Sequence, residues 1–126
     1  MELKNYFETT SGTGVLSTAD RNGKVDAAIY SRPHFLEDDT IAFIMRDRLS
    51  HKNLESNPHA VFLFIEDKPG YKGTRLFLIK VKEEKNSERI ESLKRRKKQY
   101  DPDEDRFLVF FKLDQQLPLI GDDNSK

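Results

Sequence analysis

Cysteine is absent from this chain of 126 residues, and the absence excludes several kinds of chemistry. Disulfides, thiolate metal ligands and thiol catalysis all need cysteine. The Cys-x-x-Cys-His motif that attaches haem covalently is excluded for the same reason. Because a chain without cysteine is compatible with a reducing compartment, we expect a cytoplasmic protein.

Long apolar runs and an excess of charge of one sign are also missing. No run approaches the roughly 20 apolar residues that span a bilayer, and residues 1–4 lack the apolar core of a signal peptide. The 22 basic residues balance 22 acidic ones, whereas nucleic-acid binders usually carry a basic excess or face. We therefore expect no membrane and no nucleic-acid partner, and we interpret the basic run at residues 89–98 as a solvated helix face.

The length predicts a single domain with a core of its own, which needs no metal or disulfide. We place this domain at residues 1–120 and a polar, disordered tail at residues 121–126. A net charge of zero gives little repulsion between copies, so charge does not oppose self-association.

Turn signals and apolar patterning predict a mainly β chain. Asp20 to Gly23 forms a tight hairpin turn, because Asn-Gly tolerates positive φ, and Gly12 and Gly14 end the first helix. A second hairpin pairs residues 27–36 with 40–46, and Pro33 ends regular pairing or marks a bulge. Six antiparallel strands that must hide their edges commonly close into a barrel. The predicted strands are residues 15–19, 24–32, 40–46, 59–66, 75–83 and 106–113, and the predicted helices are 2–10, 50–57 and 87–99.

Residues 45–53 leave an apolar strand and enter a short helix, and this segment could hold a phosphate. A helix start offers unpaired N–H groups and a positive dipole end, and Ser50 is the predicted N-cap. Arginine binds phosphate through two parallel hydrogen bonds. The same residues also fit an ordinary capped helix with a solvated basic rim. The cationic donors of the segment are Arg46, Arg48, His51 and Lys52.

Two further segments have the composition of a ligand site. Residues 28–33 combine apolar residues, two hydroxyls and an arginine, which suits a flat ring. Residues 69–75 contain two glycines that let backbone approach a ligand, followed by Lys72, Thr74 and Arg75 as polar partners. Each segment also has an ordinary interpretation, as a strand with one polar face and as a hairpin loop.

Taken together, these segments resemble the FMN-binding split β-barrel family related to pyridoxamine 5′-phosphate oxidase. The resemblance covers roughly residues 10–118, and its most recognisable part is LESNP at residues 54–58 before an apolar strand. It implies a six-stranded antiparallel split β-barrel of Greek-key type with short peripheral helices. It also implies FMN as the cofactor and a homodimer with the flavins at the subunit boundary.

The resemblance further implies which residues form the cofactor site. It assigns the phosphate to Arg48, Ser50, His51 and Asn53, and it adds Thr74 and Arg75, next to Lys72, to the lining. Many relatives carry a lysine at the position of Ser50, so we favour Arg48 over Lys52 as the phosphate cation. The ring and ribityl chain are assigned to Ile29, Tyr30, Ser31, Arg32, Pro33, Ile44, Met45 and Arg46.

The expected function is that of an FMN-dependent oxidoreductase whose small-molecule substrate and catalytic residues are unknown. No Gly-x-Gly-x-x-Gly turn is present, which favours FMN over FAD. The three histidines show no metal spacing, and Arg32 and Arg75 are candidates for stabilising a reduced ring. The chain lacks the longer C-terminal part of true pyridoxamine phosphate oxidases, so we do not expect that activity. The alternatives are a non-enzymatic flavin carrier or electron-transfer protein, and a haem- or deazaflavin-binding relative.

A homodimer is also expected from the strands themselves. Alternation hides one face of a strand inside a small barrel, yet phenylalanines fall on both parities. An apolar face left over marks an interface, and a two-fold dimer is the commonest solution. These phenylalanines are Phe62, Phe64, Phe77, Phe107, Phe110 and Phe111.

Overall fold

A computed structural model describes residues 2–36, 39–93 and 104–121 of the chain. In these residues three short helices accompany one antiparallel sheet of seven strands. The helices are α1 (Glu2–Thr9), α2 (Leu49–Ser56) and α3 (Glu88–Leu93). The strands are β1 (Gly12–Ala19), β2 (Val25–Tyr30), β3 (His34–Leu36), β4 (Thr40–Arg46), β5 (His59–Glu66), β6 (Gly73–Lys85) and β7 (Arg106–Pro118).

The sheet has the strand order β2-β1-β5-β6-β7-β4-β3 and curls around one core. Strands β4 and β5 are three places apart in this order, yet the rings of Phe43 and Phe62 lie 5.0 Å apart. Tyr30 on the edge strand β2 also meets Phe43, at 6.0 Å. Contacts between such distant strands require a closed, barrel-like sheet, which confirms the predicted mainly β architecture.

The hairpin turn at residues 20–23 is confirmed and is held by local bonds. Gly23 has a φ of 84°, and the Asp20 carboxylate accepts the N–H groups of Asn22 and Lys24 at 2.9 Å each. These bonds hold the pKa of Asp20 below its ordinary value, with the Lys24 N–H as the largest cause. The turn therefore pairs β1 with β2 in the predicted antiparallel arrangement.

The predicted count of six strands is wrong, because β3 forms a separate strand beyond Pro33, after the predicted strand 24–32. Strand β2 ends at Tyr30, and β3 begins after the proline at His34. The second hairpin consequently pairs only β3 with β4, with His34 opposite Ala42. Proline has no N–H to donate to a ladder, so strand pairing stops around it.

Helix α1 ends before Gly12 and Gly14, as predicted, but both glycines lie inside β1, which begins at Gly12 and not at the predicted residue 15. A Cβ atom at Gly14 would overlap the ring of Phe62, and one at Gly12 would overlap the carbonyl oxygen of Ile65. Strand β1 therefore uses glycine where neighbouring β5 brings its backbone and a large ring close.

Strands β6 and β7 extend beyond their predicted ends, and irregular pairing between Phe77 and Leu78 and between Lys80 and Lys82 adjusts their register. The predicted helix 87–99 is described only as α3. Residues 94–99 of that prediction, which include half of the basic run at 89–98, and the tail at 122–126 lie outside the described residues.

Two buried clusters stabilise the sheet. The main core contains Phe62, Phe64 and Phe111 and is closed at one end by Phe7 of α1. The second cluster lies on the opposite face of β7, where Leu108 and Phe110 pack under Ile90 of α3. Burying each such side chain contributes about 1.5–3 kcal/mol. Within the part of the chain that the structure describes, no helix is long and apolar enough to cross a membrane.

Candidate functional site

A cleft of about 700 Å³ opens between β2, β4 and the beginning of α2. This volume lies within the range of small-molecule sites. Its walls combine apolar, hydroxyl and charged side chains. The lining residues are Gly12, Asp26, Ala28, Ile29, Tyr30, Ser31, Arg32, His34, Phe43, Ile44, Arg46, Arg48, Leu49, Ser50 and Leu93.

Strand β2 forms one wall because its residues alternate between the two faces of the sheet. Asp26, Ala28 and Tyr30 are half-buried, whereas Val25 and Ile29 on the other parity are 78% and 71% exposed. Burial raises the pKa of Tyr30, and a hydrogen bond with Ser50 only partly offsets this effect. The Tyr30 hydroxyl therefore stays protonated at neutral pH.

The other end of the cleft is cationic. Arg46 ends β4, Arg48 precedes α2, and their side chains are 52% and 60% exposed. The Glu104 carboxylate joins them: Oε1 lies 3.0 Å from Nη2 of Arg46, and Oε2 lies 2.8 Å from Nη2 of Arg48. A hydrogen bond from Arg46 is the largest cause that holds the pKa of Glu104 below its ordinary value.

Helix α2 begins one residue earlier than predicted, and Ser50 is not its N-cap. Arg48 is the N-cap residue, with extended backbone and no capping bond from its side chain. Ser50 is buried in the first turn, where its Oγ donates to Oδ2 of Asp26 at 3.4 Å. The positive end of the helix dipole still faces the cleft, because Arg48, Leu49 and Ser50 all line it.

Solved structures with the same fold identify the architecture. An FMN-binding protein from Syntrophomonas wolfei superimposes with a TM-score of 0.71 at 20% identity, covering 94% of this chain and 84% of that one. A candidate pyridoxamine 5′-phosphate oxidase from Lactobacillus delbrueckii gives 0.67 at 12% identity, covering 92% and 90%. The chain is a split β-barrel.

Other split barrels with this architecture carry different names. HutZ, the haem storage protein of Vibrio cholerae, gives a TM-score of 0.63 at 16% identity and covers 92% of this chain and 91% of that one. An F420 reductase gives 0.65 at 14% identity, covering 89% and 94%. No protein-family profile and no curated protein sequence matches the chain. The comparisons thus establish the fold, and the ligand must be argued from the cleft.

Of the predicted site residues, the split barrel brings eight together in one cleft. They come from the end of β2 and the segment after it, from the end of β4 and from the start of α2. Arg32 has a second role, because its Nη1 donates to the carbonyl groups of Phe7 and Thr10 at 2.9 and 3.2 Å and so ties β2 to the end of α1. The eight are Ile29, Tyr30, Ser31, Arg32, Ile44, Arg46, Arg48 and Ser50.

His51 and Asn53 lie on the buried side of α2 and do not line the cleft. The His51 ring stacks on Phe107 with 3.7 Å between centroids, and its Nε2 lies 3.0 Å from the Glu83 carboxylate. Asn53 donates to Oγ1 of Thr18 at 3.0 Å. Both side chains therefore fix α2 to the barrel, so they position the helix start instead of facing a ligand there.

The remaining predicted site residues also lie outside the cleft. Met45 is fully buried in the main core, and Pro33 and Lys72 are not part of the lining. Thr74 lines a second cavity of about 570 Å³ beside Tyr6 and Glu66. Arg75 donates to the carbonyl oxygens of Pro118 and Gly121.

Three polar residues of the site were missed by sequence reasoning. Asp26 and His34 line the cleft, and Glu104 joins its two arginines. Strand alternation could have found Asp26, because it shares the parity of Ala28 and Tyr30 on β2. The position of Glu104 depends on the pairing of β4 with β7, and no local pattern in the sequence signals it.

Proposed function

We propose that the cleft binds FMN, with the phosphate at Arg46 and Arg48. The observation that carries this proposal is the pair of half-exposed guanidinium groups at one end of a cleft whose walls are otherwise largely apolar or hydroxyl-bearing. Arginine forks match phosphate oxygens in geometry and charge. The FMN-binding protein of the same fold supports FMN as the ligand.

The distribution of charge inside the cleft determines which part of FMN fits where. Asp26 accepts a hydrogen bond from Ser50, so a phosphate placed at Ser50 would meet a carboxylate. The phosphate is therefore assigned to the arginines, and Ser50 with Asp26 suits the hydroxyls of the ribityl chain. The rings of Tyr30 and Phe43 and the side chain of Ile44 supply the apolar wall that a flat ring needs.

The proposed activity is oxidoreduction, for which bound FMN supplies the hydride or electron transfer. The chain's own residues bind the cofactor, orient it and exclude water from one side of it. Turnover of NADH or NADPH with an electron acceptor tests this part of the proposal. A protein that holds FMN without turnover would instead be a flavin carrier.

We further propose that the protein is a homodimer formed through the outer face of β2, β1, β5 and β6. Val25 and Ile29 are exposed there, and Val15, Leu63 and Phe77 on the neighbouring strands are half-buried. An apolar face of this kind is typical of an interface. Ile29 belongs both to this face and to the rim of the cleft, which brings the flavin close to the partner.

Reconstitution of the purified protein tests the cofactor. We expect a two-band flavin absorption spectrum after addition of FMN and removal of the excess, and chromatography should recover FMN from the denatured protein. FAD serves as the comparison, because its adenylate half would extend beyond a single phosphate site. Retention of FAD in preference to FMN, or of no flavin at all, would contradict the proposal.

Haem is the second candidate ligand, because His34 lines the cleft and imidazole is a common axial ligand of haem iron. The two arginines would then meet the haem propionates, and the haem storage protein of the same fold supports this alternative. Titration with haemin distinguishes the two ligands. A Soret band that is lost in His34→Ala, together with no retention of FMN, would favour haem. The F420 reductase makes a deazaflavin the third ligand to include in the titration.

A further inference from the structure

The Glu104 carboxylate is the centre of a four-residue ion cluster behind the cleft. It accepts from Nε of Arg46 at 3.0 Å and from Nη2 of Arg48 at 2.8 Å, and its Oε1 also lies 3.0 Å from Nη1 of Arg106. The Glu104 side chain is 12% exposed and that of Arg106 is 6% exposed. One carboxylate therefore holds three guanidinium groups.

The carboxylate lies behind the two cleft arginines and does not occupy the ligand's place. Arg46 and Arg48 line the cleft and keep about half of their side-chain surface exposed, whereas Glu104 and Arg106 are not among the lining residues. Arginine has many rotamers, so ordering such a side chain on binding costs conformational entropy. A shared carboxylate orders both arginines before a ligand arrives.

The strand register explains why the fold needs an anion at this point. Arg46 on β4 lies directly opposite Arg106 on β7, and like charges opposite each other destabilise a sheet. Glu104 bonds to both and removes most of this repulsion. Glu104 therefore ties the end of β4 to the start of β7 at the same point where it bonds to the cleft arginines.

From this geometry we propose that Glu104 is a positioning residue, which holds Arg46 and Arg48 side by side for the phosphate of a phosphomonoester. The inference rests on the proposed function, because it assigns the phosphate of the ligand to these arginines. It extends that function by naming a residue outside the cleft that orders the two arginines which bind the phosphate.

The test compares Glu104→Gln with the wild type for two ligands that differ only in the phosphate. FMN affinity should fall about tenfold, because binding must then order both arginine side chains, and riboflavin affinity should not change. Glu84→Gln is the matched control, because it breaks another arginine–carboxylate pair, with Arg89 at 2.6 Å, away from the cleft lining. Tighter FMN binding by Glu104→Gln would mean that the carboxylate competes with phosphate, and an equal loss for both ligands would mean that it acts through folding. Either result overturns the inference.

A second variant covers the case in which Glu104→Gln does not fold. The double change Glu104→Gln with Arg106→Gln keeps two positive charges and removes the repulsion between β4 and β7. It should still bind FMN more weakly than the wild type, because the arginines have lost their common anchor. Wild-type affinity for FMN in this variant would overturn the positioning role.

A failure of the proposed function can be told apart from a failure of this inference. If the wild type binds neither FMN nor riboflavin, the proposed function is wrong, and inorganic phosphate becomes the probe of Glu104. At constant ionic strength phosphate should raise the melting temperature of the wild type and of Glu84→Gln more than that of Glu104→Gln. An equal rise in all three proteins would overturn the inference.

Discussion

Replacing Arg48 by alanine removes one of the two guanidinium groups that face the cleft. A charge-assisted hydrogen bond contributes about 1.5–3 kcal/mol. Because the Arg48 side chain is 60% exposed, solvent screening places the loss near the lower end, about 1.5 kcal/mol or tenfold in Kd. Loss of two such bonds gives roughly a hundredfold weakening, which is the upper limit that we expect.

Fluorescence titration of FMN and of riboflavin measures this loss directly. Riboflavin lacks the phosphate, so its affinity for Arg48→Ala should match that for the wild type. Lys52→Ala is the control, because Lys52 lies on the same helix and does not line the cleft. Equal losses for FMN and riboflavin, or a larger loss of FMN in Lys52→Ala than in Arg48→Ala, would refute the assignment of the phosphate.

Three further predictions concern stability and assembly. Gly14→Val should lower the free energy of unfolding by about 1–3 kcal/mol through overpacking against Phe62, whereas Thr13→Val on the other face should have little effect in the same denaturant titration. Burial raises the pKa of Glu83, but its interactions with Lys80 and His51 outweigh burial and lower this pKa below its ordinary value of 4.5. The ionised Glu83 carboxylate therefore stabilises the folded state above pH 4.5, and this stabilisation is lost as the pH falls through the lowered pKa. Glu83→Gln should therefore be less stable than the wild type at pH 7 and should lose less stability on acidification; parallel curves would contradict this. Val25→Glu should give a monomer in sedimentation at micromolar concentration, while Lys68→Glu in a loop should stay dimeric; a wild-type monomer would refute the interface.

Elements that are determined by neighbouring residues could be predicted from the sequence. Strand β5 begins and ends at the predicted residues, because a continuous apolar run follows Asn57-Pro58 and ends at charged residues. The Asp20–Gly23 turn needs only its own carboxylate and a glycine at positive φ. Part of the cleft could be predicted for the same reason, because the end of β4 and the start of α2 are adjacent in the sequence.

The contents of the site that depend on strand pairing could not be predicted in this way. Arg46 and Glu104 are 58 residues apart in sequence and meet because β4 and β7 are neighbours. The environment of His51 could not be predicted for the same reason. A histidine next to a predicted phosphate site has the chemistry of a hydrogen-bond donor to the phosphate, and nothing local in the sequence indicates a distant aromatic partner. The His51 ring instead packs on Phe107, which is brought under α2 by β7.

The phenylalanines on both strand parities show how one pattern can have two physical causes. Phe110 on β7 is one of the phenylalanines for which the sequence alone predicts a partner subunit as the packing surface. In the structure α3 covers that face, and Lys82 and Arg89 lie 4.6 and 5.0 Å from the Phe110 ring centroid, so the second face of β7 is buried within one chain. Phe77 differs, because it stays half-buried on the outer face of β6 in the same layer as Leu63. The apolar surface left for a partner subunit is therefore the outer face of β2, β1, β5 and β6 and not β7, which is why Val25 on that face is the residue to change.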